Sequence, residues 1–554
     1  MSNSPAPAPR GRLVSDLLVE TLVNWGVQAF FGMVGHSNLA LADAVRKEVA
    51  AGRARFVAIR HEGAASFAAS AYGKLTGRLS ACLTIAGPGA TNLLTGLWDA
   101  HMDRSPVLAL TGQVETQVLG PGAFQEVDLQ AAFGRVAKWS QPVLSDSKHA
   151  ELANLACKSA LVNRGVSHLI IPDEVQKLPC PDEASAGRPA GRIPGQRIAP
   201  PSESVAQAVA LLRKSRRPAI IVGHGARFEM AAVLELAELL ACPVLTTFKG
   251  KGLIPDTHPL ACGVLGRSGT AVAGALLKDA DCLLAFGVSF SAHTGIKPDK
   301  PIIQVDLDPM TLGKFHAVEV PVWGEIGVTA GLMKDALDAR VEAEDQRPAI
   351  GARQKAWRSE KERRRARPSR GGISSAVIFD ALSRLVPEDA VITVDVGDNA
   401  YSFGRYFECA RQAVLLSGYL GSIGFALPAA LGAWVATREE NSHFRDRKVV
   451  AVCGDGGFAQ YMAELTTAVQ LGTNITTVLL NNSQLGKITK EQRSGQWEIW
   501  QTALHNPDFA RFASLCGALG IRVEAGSELE TALARALAHN GASLVEIMSD
   551  PEQT

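Results

Sequence analysis

The stretch VVAVCGDGGF, Val449–Phe458, decides how the chain is read. Its apolar, β-branched run predicts a strand buried on both faces. The strand stops at Gly454-Asp455-Gly456-Gly457, one carboxylate among three glycines. FAQYMAELTTAVQLG follows, a helix-like segment ending in glycine, and then ITTVLLNN (475–482), a second strand running into Asn481-Asn482. This is one βαβ unit, whose crossover is expected to be right-handed, with its strands parallel and adjacent. Asp455 and Asn482 then lie just past the carboxyl ends of neighbouring strands, the edge where open α/β sheets bind ligands. A carboxylate and an amide carbonyl are hard oxygen donors suited to Mg²⁺, which takes its remaining ligands from water and phosphates. Glycines beside the carboxylate let the backbone approach a diphosphate.

Working outward, the same pattern recurs. Among the predicted strands are FVAIR (56–60), ACLTIAG (81–87), PVLALTG (106–112), AIIVG (219–223), CLLAFG (282–287), PIIQVDLD (301–308) and VITVDVG (391–397), separated by Ala/Leu-rich helical segments. Apolar strands alternating with helices indicate an α/β chain of parallel sheets covered on both faces. Two segments break the pattern: 176–203, rich in Pro, Gly and Ala, and 341–372, strongly charged. Read as linkers, they leave three doubly wound parallel-sheet domains at 13–175, 204–340 and 373–549. No internal repeat is visible in the sequence.

Bulk composition excludes several classes. With 56 Lys and Arg against 55 Asp and Glu, the charge balance offers nothing to a nucleic acid or an anionic membrane. The cluster Arg363-Arg364-Arg365 reads as part of a solvated linker helix. Nine cysteines occur without a CxxC pair, and most lie in apolar runs (Cys82, Cys282, Cys453), so they read as small buried hydrophobes in a reducing compartment. The Pro/Ala-rich start shows no secretory signal, and no apolar run reaches the roughly 20 residues of a membrane span. A cytoplasmic protein without a membrane partner is expected.

The interval between the two motifs is informative in itself: 24 residues separate Gly456 from Asn481. GDG followed by NN at this distance resembles the signature of thiamine diphosphate enzymes. RHEGAAS (60–66), GPGATN (87–92) and DAHMDRSPVLALTGQV (99–114) closely resemble the N-terminal domain of the pyruvate oxidase/acetolactate synthase group. The resemblance implies three domains: pyrimidine-binding, central Rossmann-like and diphosphate-binding. It makes Asp455, Asn482 and the main-chain oxygen of Gln484 the Mg²⁺ ligands, and Glu62 the group that activates the cofactor's aminopyrimidine. Gly35 would line the thiazolium, with Phe124 and Gln125 facing the reacting carbon. Gly397, Asn399, Gly454, Gly456 and Gly457 would surround the diphosphate. The Gly421 carbonyl would accept from the aminopyrimidine, and Ile423 would be the wedge that bends the cofactor. The active unit would be a homodimer or homotetramer with sites between subunits.

The implied chemistry is decarboxylation of a 2-oxo acid, pyruvate or similar, through a carbanion/enamine intermediate. Members differ in what takes that intermediate: oxidases pass its electrons to FAD, whereas acetolactate synthases add it to a second 2-oxo acid or an aldehyde. Synthases carry a tryptophan where this chain has Glu491, and pyruvate oxidases a glutamate. The stretch IIQVDLDPMTLGKFHAVEVPVWGE (302–325) resembles a flavin domain, placing Asp306 near the adenosine, and Gly223, Gly225 and Arg227 along the phosphates. The reading therefore favours a pyruvate oxidase-like flavoprotein, with an acetolactate synthase-like carboligase as the alternative and a non-catalytic relative behind both. Lys487 and His36 depart from the group's pattern. Buried near the substrate, they would bind an acidic arm or move a proton; the equal alternative is that each is a tolerated variant.

Overall fold

The computed structural model describes residues 11–181, 183–337, 342–369 and 371–552. The expected domain boundary at 340/341 and the first ten residues lie outside them. Among the described residues eighteen strands form three six-stranded sheets, every pairing between them parallel. The first sheet contains β1 (Ala29–Gly32), β2 (Arg55–Ala58), β3 (Ser80–Thr84), β4 (Val107–Gln113), β5 (Ala137–Pro142) and β6 (Val166–Pro172), in spatial order 2-1-3-4-6-5. The central sheet contains β7 (Pro218–Val222), β8 (Val244–Thr246), β9 (Ala261–Val264), β10 (Cys282–Phe286), β11 (Ile302–Asp306) and β12 (Val320–Trp323), in order 12-11-10-7-8-9. The third contains β13 (Val391–Val394), β14 (Ala413–Leu416), β15 (Val449–Gly454), β16 (Thr476–Asn481), β17 (Leu519–Val523) and β18 (Ser543–Met548), in order 14-13-15-16-18-17.

The first and third sheets are thus wound identically, a duplication the sequence conceals. The central sheet has the strand order of dinucleotide-binding folds. The winding reverses between β1 and β3 in the first sheet, between β7 and β10 in the central one and between β13 and β15 in the third. Loops on either side of such a reversal diverge and leave a crevice. Within 342–369, Arg347–Arg365 is the helix read from the charged linker, and its Trp357 stacks on Tyr406 of the third domain.

Two helices join the first domain to the third. Helix α1 (Glu62–Thr76) is Ala- and Ser-rich and nearly all buried, and it ends at Gly77 in the left-handed region, φ +70°. It packs against α2 (Ala426–Thr437), which is buried over its whole length. Small side chains allow a close approach. A Cβ on Gly432 would fall 2.0 Å from the Ala68 carbonyl oxygen. The rings of Phe67 and Phe425 meet edge to face beside this contact, 5.7 Å apart.

The hydrophobic core runs through this seam, so the two domains share it. Gly432→Ala is expected to destabilise the fold by about 1–3 kcal/mol, because neither backbone can yield without separating the helices. A urea midpoint unchanged from the parent would contradict the packing argument.

Candidate active site

The third domain gathers its predicted residues at one sheet edge. β15 delivers Asp455 and β16 delivers Asn481 and Asn482, with Gly454 opposite Leu480 in the ladder. Asp455, at the start of α3 (Asp455–Tyr461), is buried, and burial pushes its carboxyl up to about 6. Its Oδ2 accepts from Asn506 Nδ2 at 2.7 Å. Asn482 Oδ1 accepts the Gln484 N–H at 3.2 Å, which folds 482–484 into a tight turn with Ser483 at φ +55°. Leu485 of the same loop closes over Gly456, whose added Cβ would meet it at 3.0 Å. The donor set on this edge is one carboxylate, one side-chain carbonyl and main-chain oxygens, which fits an octahedral Mg²⁺ completed by phosphate and water.

The cradle is finished by the loops after β13 and β14. Gly397, at φ +130°, lets the chain turn, and the Asn399 amide donates to the Asp395 carbonyl at 3.0 Å. A Cβ on Gly454 would sit 3.4 Å from Asn399 Oδ1, so these residues meet. Gly421 (φ +74°) has open space where a side chain would project, and Ile423 follows it, half-buried. Asp395 braces all three loops. Its Oδ1 accepts the N–H groups of Val396 at 2.9 Å and Phe425 at 3.3 Å, while its Oδ2 lies where a Gly457 Cβ would fall. Burial raises its carboxyl to about 7.

The first domain assembles a second group. Glu62 opens α1, buried, and its Oε2 accepts from Asn92 Nδ2 at 3.0 Å. Gly35 is extended, pressed against Ile85 and tied to Asn38 Oδ1 at 2.9 Å. Gln125 adopts φ +66° and packs on Gly87, and Glu126 holds the preceding turn through the N–H groups of Gly120, Gly122 and Ala123. Phe124 projects outward, 84% exposed.

Within one chain the two groups remain apart. Among the described residues no hydrogen bond links Glu62 to Asp455, Asn482 or Asn399. Instead the N–H groups of Arg60 and His61 both donate to Glu464 Oε1, at 2.9 and 3.0 Å, and the Tyr461 hydroxyl lies against Gly63. Glu62 therefore sits by the far end of α3 from Asp455. The expectation of a buried lysine and histidine is corrected. His36 is exposed. Lys487 is half-buried on helix α4 (Gly486–Ser494), ion-paired with Glu491 at 2.5 Å and 5.0 Å over the Tyr401 ring. The i,i+4 spacing on one helix face makes that pair.

The central switch point forms a cavity of about 290 Å³ lined by Gly223, His224, Gly225, Arg227 and Asp306 together with Arg104 and Arg164 of the first domain. Gly223 and Gly225 are required by the chain itself, since a Cβ on either would strike the Gly287 backbone at 2.2 or 2.8 Å. Arg227 donates to the carbonyls of Lys74 (3.0 Å) and His224 (3.1 Å), and Asp306 pairs with Arg104 at 3.2 Å. The crevice and its cationic lining suit a nucleotide's phosphates, but Arg227 and Asp306 already have protein partners.

Protein-family models match all three domains of the chain. The "Thiamine pyrophosphate enzyme" models match in chain order: the N-terminal TPP binding domain over 12–132, the central domain over 205–333 and the C-terminal TPP binding domain over 395–547. The chain is a thiamine pyrophosphate enzyme. A Bacillus subtilis protein whose name describes it as thiamine pyrophosphate-containing, YdaP, is 34% identical over 96% of this chain and 90% of its own length. Acetolactate synthases of Arthrospira platensis and Mycobacterium bovis are 32% and 31% identical, over 96% and 95% of this chain and 93% and 86% of their own. Among the described residues no helix is long and apolar enough to cross a membrane.

Three residues of this thiamine pyrophosphate enzyme escaped the sequence reading: Asn506, Glu464 and Asp395. None stands in a GDG- or NN-type motif, and each acts on a segment far from it in sequence.

Asp395 generates a pH-dependent expectation. Its folded-state carboxyl is raised, so the penalty for ionising it is absent below about pH 4, grows as pH rises and is complete above about pH 7. Asp395→Asn is therefore expected to raise the cofactor-free protein's denaturation midpoint at pH 8, with the gain fading towards pH 4. An equal effect at both pH values would exclude burial of the charge as its cause.

Proposed function

We propose that this enzyme decarboxylates a 2-oxo acid, pyruvate or a close analogue, with thiamine diphosphate and Mg²⁺, and joins the remaining fragment to a second 2-oxo acid or an aldehyde. The observation that carries the acceptor is the near-full-length similarity to relatives named acetolactate synthase. When bound, the cofactor supplies a carbon nucleophile and an electron sink for the decarboxylation.

The chain's own residues take the remaining roles. Asp455, Asn482 and the Gln484 carbonyl would hold the metal beside the diphosphate. Gly397, Asn399, Gly454, Gly456 and Gly457 let the backbone close on that diphosphate. The Glu62 carboxyl hydrogen-bonds the aminopyrimidine ring and holds its proton. Ile423 would pack against the bound cofactor, and the Gly421 carbonyl would accept from its amino group. Phe124, Gln125, Gly35, His36, Lys487 and Glu491 surround the incoming carbonyls.

Glu62 of one copy meets Asp455 of another, in a homodimer or homotetramer. The exposed Phe124, Trp497 and Trp500, at 84%, 73% and 72%, support this reading. A second reading, oxidation of the fragment through FAD, is favoured by Glu491, where synthases carry tryptophan, and by the nucleotide-like crevice of the central domain.

Glu62→Gln is expected to keep thiamine diphosphate binding but lower turnover by about 10²-fold or more. Parental activity in that variant would remove Glu62 from its role. A purified protein without flavin absorbance that forms acetolactate from pyruvate is the expected result. A yellow protein that consumes pyruvate only with an electron acceptor would replace the first reading by the second.

A further inference from the structure

Asn506 lies in the loop before the helix Phe509–Leu515, whose N-cap, Asp508, accepts the Arg511 N–H at 2.8 Å. This loop is laced to the 482–485 turn. Leu485 N–H donates to the Thr502 carbonyl and Leu504 N–H to the Ser483 carbonyl, both at 2.8 Å, with a bridge between Gln484 and Ala503. From that support the Asn506 Nδ2 reaches two acceptors, Asp455 Oδ2 at 2.7 Å and Asn481 Oδ1 at 3.0 Å. Both acceptors are oxygens, so the amide nitrogen must face them. One side chain therefore ties the carboxylate on β15 to the end of β16.

Asn481 is itself immobilised. Its Nδ2 donates to the fully buried Glu546 at 2.7 Å, and its Oδ1 also accepts the Ser483 N–H at 3.1 Å. Glu546 in turn accepts the Ala510 N–H at 3.1 Å. The result is a continuous brace, Asp455–Asn506–Asn481–Glu546, behind the oxygen donors. It leaves Asp455 Oδ1 and the adjoining Asn482 for a cation.

We infer that Asn506 is a positioning residue that fixes the separation of the two jaws, and that this rigidity selects Mg²⁺ over Ca²⁺. The inference rests on the proposed metal role of Asp455, Asn482 and Gln484. Mg²⁺ needs near-ideal octahedral oxygens at about 2.0–2.1 Å, whereas Ca²⁺ accepts irregular shells at about 2.3–2.6 Å. Partners that orient metal ligands typically carry about 10–100-fold in metal affinity. Loosening the brace is therefore costly for the smaller ion and tolerable for the larger one.

The test is calorimetric titration of thiamine diphosphate into metal-stripped full-length protein, supplemented either with Mg²⁺ or with Ca²⁺. Asn506→Ala is expected to weaken Mg²⁺-supported binding about 10–100-fold while changing Ca²⁺-supported binding by less than about threefold. Asn506→Ser, which keeps one donor, should fall between Asn506→Ala and the parent, and it serves if the alanine variant does not fold. Equal losses with both ions would reduce Asn506 to a structural role, and no loss with either would remove it from the clamp. Asp455→Ala separates the two claims: parental Mg²⁺-supported binding in that variant overturns the clamp itself. Loss there with unchanged Asn506→Ala overturns only the inference.

Discussion

A lysine ammonium shut away from solvent sits where the three domains meet. Lys74 Nζ lies 2.6 Å from Asp99 Oδ2, 2.8 Å from Asp103 Oδ2 and 3.1 Å from the Leu416 carbonyl, 4.5 Å over the Phe425 ring. Asp103 receives a second ammonium, Lys249, from the central domain at 2.5 Å, and together the two lysines hold its carboxyl below the ordinary range despite burial. A buried charge is tolerable only while its partners stay in place, and losing one leaves the others uncompensated. The cluster therefore penalises any displacement of one domain relative to the other two. Lys74 stands near the C-terminal end of α1 and Glu62 at its start. With Glu464 gripping the backbone just before Glu62, that helix is pinned at both ends, and the carboxylate inherits the precision of the junction.

The strand ends depend on the same logic of opposed loops. At the reversal between β13 and β15, one loop bears the glycines and Asn399, and the other the carboxylate. Asp395 stands behind both and reaches a third loop at Phe425. Ordered oxygens on diverging loops need a rigid backing, and here it consists of buried polar groups whose satisfaction costs nothing only in one arrangement. The raised carboxyls of Asp395 and Asp455 are the residue of that arrangement: burial favours their neutral forms.

How much of this was legible follows from the range of each interaction. Asp455 and Asn482 were readable because the two strands are joined by a single crossover, so sequence spacing translates into spatial adjacency. Glu62 was readable because it stands between a strand and an alanine-rich helix inside a recognisable motif. Asn506 carries no such mark: its loop sits apart from both strands, and only the Gln484–Ala503 bridge brings it to the clamp. Lys74 reads as a helix-surface lysine in an alanine-rich run, since burial of a charge is decided by distant partners. His36 and Lys487 show the converse: a motif displays neither the exposure of the one nor the i,i+4 partner of the other within a single chain. The duplicated winding was hidden because strand order lies in hydrogen bonds between strands.

That duplication has one more consequence. Helices α1 and α2 each follow the second strand of their sheet, and they pack on each other, so the seam inside one chain is a contact between equivalent faces, isologous in all but covalent linkage. The corner that carries Glu62 and the corner that carries Gly421 to Phe425 are then counterparts, one keeping an acid and the other a bend of glycine.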